Sequence, residues 1–100
     1  MKKPERCRGI EDIRDAVNEF DRQIIALLGK RTRYVHEAVR FKKSERDIRK
    51  PGHIPALLAQ RRKWAKEHGV DPGFVEYLYR ILTDHSFNVQ AKLWNKANRG

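Results

Sequence analysis

The sequence predicts an all-α fold of three helices, with one long N-terminal helix. Apolar residues near the N-terminus recur at intervals of three, four and seven, which is helical spacing. No proline interrupts the chain from Arg6 to Lys50, and no segment shows the alternation typical of a half-buried strand. The apolar stripe of this first helix consists of Ile13, Val17, Phe20, Ile24, Leu28, Val35 and Ala38.

The first helix is predicted from about residue 10 to about residue 46. Glu11 and Asp12 suit its N-terminal end, where the helix dipole favours negative charge. The segment that follows, residues 44–55, is rich in basic residues and contains Pro51-Gly52 and Pro55, which break helices. We therefore predict a basic loop over this segment.

Two further helices complete the predicted fold. The second begins near Pro55 and ends before Gly69, a typical C-terminal cap. The third opens at Asp71-Pro72, a capping residue followed by a first-turn proline, and is predicted to fray at residues 98–100. Its expected apolar line contains Val75, Leu78, Leu82, Val89 and Leu93, with His85 on the same side.

Composition limits the class of protein. One hundred residues fit a single domain over residues 1–100, and one cysteine, Cys7, excludes a disulfide framework or a cysteine-based zinc site. The four histidines lack metal-ligand spacing, so we expect no metal. The longest apolar run is Ile24 to Leu28, so neither a transmembrane helix nor a signal peptide is expected. A cytoplasmic location is the natural expectation.

The length of the first helix predicts assembly. About 35 helical residues reach roughly 50 Å, whereas a compact chain of this size has a radius of gyration near 13 Å. The helix must extend beyond its own domain, and its continuing apolar stripe needs a partner surface. The simplest partner is a second copy related by a two-fold axis, so we predict an intertwined homodimer.

Two cations interrupt the predicted stripe. Arg31 and Lys42 fall on the apolar line about 16 Å apart along one helix, with the smaller Val35 and Ala38 between them. They either lie beyond the domain edge in solvent, or bend inward and hold the two ends of a small dianion.

Two other residues can complete such a site. Arg14 lies roughly 100° around the helix from Arg31, so it would enter the pocket of the partner chain rather than its own. On the third helix, Ser86 and Gln90 are one turn apart at the interior edge, and Gln90 can supply a neutral hydrogen-bond donor.

The charge itself allows a different class of function. With 23 Lys and Arg against 13 Asp and Glu, the net charge of +10 suits nucleic-acid binding. The sequence shows no known DNA- or RNA-binding motif, however, and its basic residues are spread along the whole chain. A regulatory or structural dimer with an inactive pocket is a third possibility.

A set of short motifs gives the sequence a family resemblance. The motifs are Pro4-Glu5-x-Cys7-x-Gly9-Ile10-x-Asp12-Ile13-Arg14, Asp21 before the apolar run, Gly29-x-Arg31-x-x-Tyr34-Val35, Arg40-Phe41-Lys42-x-Ser44-Glu45, and Gln90. With these motifs together, the chain resembles the isochorismate pyruvate lyases of salicylate and siderophore biosynthesis, which share the all-helical chorismate mutase fold. The resemblance covers essentially the whole chain.

The resemblance implies an intertwined dimer with two equivalent pockets. Arg31, Lys42 and Gln90 would line one pocket, and Arg14 would come from the partner chain. The three cations would bind the carboxylates and the ether oxygen region of isochorismate. The reaction implied is a concerted elimination to salicylate and pyruvate that needs no cofactor, metal, nucleophile or general base.

Chorismate mutase, which converts chorismate to prephenate, is the nearest alternative within this fold. Bacterial mutases carry an Arg-Glu pair near the start of the second helix, and the glutamate contacts the substrate hydroxyl. This chain has Pro51-Gly52-His53-Ile54-Pro55-Ala56 there and no acidic residue between Asp47 and Glu67. That difference favours the lyase, with weak mutase activity expected as a side reaction. Lyase relatives often have arginine where this chain has His53.

Overall fold

A computed structural model describes residues 2–98 as an all-α chain, with no strand within that range. This confirms the predicted fold class and its three main helices. No helix in the described range is long and apolar enough to cross a membrane. The helices are α1 (Ile10–Ala38), α2 (Glu45–Arg49), α3 (Ile54–Glu67) and α4 (Pro72–Ala97), with 3₁₀ turns at Pro4–Arg6, Val39–Phe41 and Pro51–His53.

The chain consists of two compact units, the first ending at Tyr34 and the second beginning at Val35. In the first unit, Asp12 joins the N-terminal segment to α1. Its carboxylate accepts hydrogen bonds from the Arg8 backbone N–H and from Lys2 Nζ, both at 3.0 Å. These two donors hold the pKa of Asp12 below its usual value. No side chain of α1 is buried within the chain.

The first helix is shorter than predicted, because α1 ends at Ala38 rather than near residue 46. The start of α2 at Ser44 competes with a continuation of α1. Ser44 has extended backbone, and its hydroxyl accepts a 3.1 Å hydrogen bond from the Asp47 N–H. The Asp47 carboxylate in turn accepts from the Lys43 N–H at 3.1 Å. This reciprocal pattern is a variant of the capping box and starts α2. The predicted loop over residues 44–55 therefore contains a short helix and a 3₁₀ turn.

In the second unit, α3 packs against α4, and α2 packs against α4 as well. A short turn at residues 68–71 joins the two longer helices. The buried apolar side chains are Ile48 of α2, which is 2% exposed, Leu58 and Ala65 of α3, and Ala91 of α4. The core of this unit is small.

The predicted caps of α3 and α4 are confirmed. Gly69 follows the C-cap of α3 with φ of 69°, a conformation that favours glycine. At the start of α4, Asp71 Oδ1 accepts a 3.0 Å hydrogen bond from the Gly73 N–H, and Pro72 occupies the first turn. The structure describes α4 to Ala97 and its C-cap, Asn98; Arg99 and Gly100, included in the predicted fraying, lie outside the described residues.

The packed face of α4 is rotated from the predicted apolar line. The predicted Leu78 and Leu93 are 45% and 37% exposed, and His85 is exposed as well. The other three residues of that line, Val75, Leu82 and Val89, are half-buried. The buried residues of α4 are Thr83, Ser86, Gln90 and Ala91.

We predict that Asp71→Ala lowers the free energy of unfolding by about 1 kcal/mol, because the Gly73 N–H loses its capping acceptor. Urea titration followed by far-ultraviolet circular dichroism measures the change. Asp84→Ala, at an exposed position inside the same helix, is the matched control and should change stability by less than about 0.5 kcal/mol. Equal effects of the two substitutions would contradict the capping role.

Candidate active site

Lys42 follows the 3₁₀ turn Val39–Phe41 and does not lie on α1. Its backbone is extended, with φ of −92° and ψ of 141°, and its N–H donates to the Val39 carbonyl at 3.0 Å. The residue is half-buried. The prediction that Arg31 and Lys42 share one helical line is therefore wrong, because the capped start of α2 ends the helix between them.

The peptide group between Lys42 and Lys43 accepts one hydrogen bond at its oxygen and donates another from its nitrogen. The Lys42 carbonyl accepts a 3.3 Å hydrogen bond from Trp94 Nε1 on α4, and the Lys43 N–H donates to Asp47. Trp94 lies one turn after Gln90, so this bond fixes the Lys42 backbone beside the stretch of α4 that carries Gln90. Two of the predicted site residues are thus brought into one region of the second unit.

Sequence reasoning missed both supports of Lys42. The spacing Ser44-x-x-Asp47 indicates a helix start, because a hydroxyl three residues before an acidic side chain is typical of a helix N-terminus. The role of Trp94 had no local signal, since the bond joins residues 52 positions apart.

Gln90 is buried, with 7% of its surface exposed. Its Oε1 has no hydrogen-bond partner within residues 2–98. The two other buried polar residues of α4 differ in this respect, since the Thr83 and Ser86 hydroxyls donate to the carbonyls of Tyr79 and Leu82 at 2.7 and 2.9 Å. Buried polar groups are normally satisfied, so Gln90 is available to bond a bound molecule.

Arg14 and Arg31 both lie on α1, in the first unit. Arg14 is exposed and pairs with Glu11 at 3.0 Å, a surface ion pair of small energetic weight. Arg31 is half-buried. Seventeen residues separate them, which is about 25 Å along a helix. Two arginines so far apart on one chain cannot hold the same small molecule.

The segment around Lys42 is strongly basic. Residues 42–50 contain five Lys and Arg against two acidic residues, and Arg49 Nη2 donates to Asn88 Oδ1 at 3.1 Å, which ties α2 to α4. Within residues 2–98, no group of three or more His, Cys, Asp or Glu side chains is arranged to hold a metal ion. The chemistry that this region offers is cationic binding of an anionic molecule.

Comparison with known proteins identifies the family. The model of chorismate mutase type II matches residues 13–91. The chain belongs to this family. It is also 42% identical over 96 residues to a Pseudomonas aeruginosa protein named isochorismate pyruvate lyase, a match that covers 96% of this chain and 95% of the relative. Both findings confirm the resemblance on which the sequence prediction was based.

We predict that Asp47 gives a pH-dependent contribution to stability. The Lys43 N–H, followed by the positive charges of Lys50 and Lys42, holds the pKa of Asp47 below its usual value. A lowered folded-state pKa means that the contribution is present above the unfolded pKa of about 3.9 and is lost as the pH falls through the folded pKa.

Urea titrations of the wild type and of Asp47→Asn over this pH range measure the effect. The wild type should be the more stable protein above about pH 5, and the difference between the two unfolding free energies should shrink as the pH falls below the unfolded pKa of about 3.9. A difference that stays constant with pH would contradict the role of the charged carboxylate.

Proposed function

We propose that this protein is an isochorismate pyruvate lyase, which splits isochorismate into salicylate and pyruvate. The observation that carries the proposal is the 42% identity to the relative of that name over 96% of the chain. The predicted lyase agrees with that name, and the match to chorismate mutase type II agrees with the predicted fold. Its place in salicylate and siderophore biosynthesis and its cytoplasmic location stay predictions.

The active form in this proposal is an intertwined homodimer in which residues 1–100 act as one domain. No side chain of α1 is buried within the chain, although its length is 29 residues. The exposed apolar stripe of α1 needs a partner surface. A second copy supplies that surface with two-fold symmetry. Five apolar side chains on one stripe are between 38% and 54% exposed, namely Ile13, Val17, Phe20, Ile24 and Leu28.

The proposed pocket takes Arg31, Lys42 and Gln90 from one chain and Arg14 from its partner. The separation of about 25 Å between Arg14 and Arg31 along α1 supports this division, because both would otherwise have to reach one substrate from a single helix. Isochorismate carries two carboxylates, which guanidinium groups bind through paired hydrogen bonds. Gln90 Oε1, buried and without a partner in residues 2–98, would accept from the substrate hydroxyl.

The reaction itself places few demands on the protein. In a concerted elimination, a ring hydrogen moves to the methylene carbon of the enolpyruvyl group as the ring carbon–oxygen bond breaks. Both changes occur within the substrate, so the enzyme needs to hold the reactive conformer and stabilise the charge that develops on the ether oxygen. Lys42 is the cation assigned to that oxygen, and each charge-assisted contact is worth about 1.5–3 kcal/mol.

Chorismate mutase is the alternative activity, because the family match fits it as well. The structure places the segment that would carry the mutase glutamate in the 3₁₀ turn Pro51–His53 and the first turn of α3. No residue between Asp47 and Glu67 is acidic. The absence of that carboxylate supports the lyase as the main activity.

The test is to incubate the purified protein separately with isochorismate and with chorismate. We expect salicylate fluorescence to rise with isochorismate, and chorismate to be consumed slowly or not at all. Faster consumption of chorismate, with prephenate as its product, would make the protein a mutase. No reaction with either substrate, together with salt-dependent binding to duplex DNA that Lys42→Ala leaves unchanged, would replace the enzyme by a nucleic-acid-binding protein.

Subunit mixing tests the shared pocket. Arg14→Ala and Lys42→Ala should each abolish most activity and leave a folded dimer, because Arg14 is exposed and Lys42 only half-buried, so neither substitution disturbs the core. When the two variants are coexpressed in equal amounts, half of the dimers are heterodimers, and one pocket in each is intact. About a quarter of the wild-type activity should therefore return.

The matched control pairs Arg31→Ala with Lys42→Ala. Both residues belong to the same chain's pocket in this proposal, so every pocket of that heterodimer lacks one cation and activity should stay low. Recovery in this control, or no recovery with Arg14→Ala, would contradict the proposed division of residues between the two chains.

A further inference from the structure

Three hydrogen bonds hold the main chain on both sides of Lys42. Its own N–H donates to the Val39 carbonyl at 3.0 Å. The peptide group between residues 42 and 43 is bonded at both of its polar atoms. Trp94 Nε1 donates to its oxygen at 3.3 Å, and Asp47 Oδ2 accepts from its nitrogen at 3.1 Å.

These bonds restrict the direction of the Lys42 side chain. A peptide group is planar, so holding its oxygen and its nitrogen from opposite sides fixes the orientation of the whole group. With the preceding N–H also held, both backbone torsions of Lys42 are constrained, near φ of −92° and ψ of 141°. The direction of the Cα–Cβ bond is then set, and only the side-chain torsions remain free.

The two partners of this peptide group are themselves anchored. The Asp47 N–H donates to Ser44 Oγ at 3.1 Å, and its carboxylate lies 3.7 Å from Lys50 Nζ. Trp94 is half-buried on α4, the helix that carries Gln90 one turn earlier. The bond from Trp94 therefore relates the backbone of Lys42 directly to the helix of Gln90.

We propose that Trp94 and Asp47 are positioning residues that act through Lys42. They fix the peptide group after Lys42 and so aim its amine at the ether oxygen of the substrate. The inference rests on the proposed function, since it assigns these residues to the reaction of that same site. Neither residue touches the substrate in this assignment.

The variants Asp47→Ala and Trp94→Phe each remove one of the two bonds. Trp94→Phe keeps an aromatic ring and loses the N–H donor. We expect kcat for isochorismate to fall about tenfold in each case, because a small displacement of a catalytic group is costly, whereas KM should change less than about twofold. Asp47→Asn keeps an acceptor oxygen and removes the charge, and should restore most of kcat.

Matched controls separate positioning from stability. Asp71→Ala removes a similar carboxylate bond to a backbone N–H at the start of α4, and Trp64→Phe alters the other tryptophan, which stacks on Arg61 of α3. Both should lower the melting temperature at most and leave kcat unchanged. A loss of kcat in these controls equal to that of Asp47→Ala would overturn the positioning role.

Amide hydrogen exchange measures the bond from the Lys43 N–H to Asp47 without relying on activity. The Lys43 amide should exchange slowly in the wild type and in Asp71→Ala, and at least about tenfold faster in Asp47→Ala. Equal exchange rates in the wild type and Asp47→Ala would overturn the inference that this bond holds the peptide group.

Double variants that also carry Lys42→Ala show whether Asp47 and Trp94 act through Lys42. In Lys42→Ala, the further change Asp47→Ala or Trp94→Phe should leave the residual rate unchanged, because no amine is left to position. An additional tenfold loss there would overturn the proposal. A wild type inactive with isochorismate would refute the proposed function and the positioning role with it, whereas an active wild type and variants of unchanged kcat would refute the positioning role alone.

Discussion

A 29-residue helix that buries none of its side chains within its own chain is the main physical constraint on this protein. Helices in water gain most of their stability from packing an apolar face, and α1 leaves its apolar face exposed within the chain. Phe20 and Ile24, both more than half exposed, lie in the middle of that face. In the proposed dimer, a second copy both covers α1 and brings Arg14 to the pocket of its partner. In the proposed enzyme, assembly and catalysis therefore depend on the same helix.

The end of α1 has as much consequence as its length. Helix propensity alone would carry the chain past Lys42, but the hydrogen bonds of Ser44 and Asp47 favour a new start. Lys42 consequently lies in extended backbone between two helical segments rather than on a regular helix face. Such a position leaves polar backbone groups without helical partners, and Trp94 satisfies one of them from α4. The local interruption is thus stabilised by a contact from a distant part of the sequence.

The second unit buries polar side chains on a face of α4 that is rotated from the predicted apolar line. Thr83 and Ser86 lower the cost of their burial by bonding carbonyls of their own helix. Gln90 Oε1 has no such bond within residues 2–98, so it is the buried acceptor that the proposed substrate would satisfy. The proposed pocket of cations and one neutral amide suits a reaction in which all bond changes take place inside the substrate. In that proposal the protein contributes orientation and electrostatic stabilisation.

The sequence by itself determined the all-α class, the starts of α3 and α4, the family and the choice of candidate site residues. Those features depend on local patterns: helical periodicity, a capping Asp71 before proline, a Gly69 in left-handed conformation, and motifs of fixed spacing. Only the tertiary structure decided where α1 ends, which face of α4 is packed, and how Lys42 is held. Periodicity continues through residue 42, so it cannot show that a capping interaction ends the helix earlier, nor that an indole 52 residues away completes the backbone bonding. Those outcomes depend on the competition between alternative hydrogen-bond partners, which exists only once distant segments of the chain are brought together.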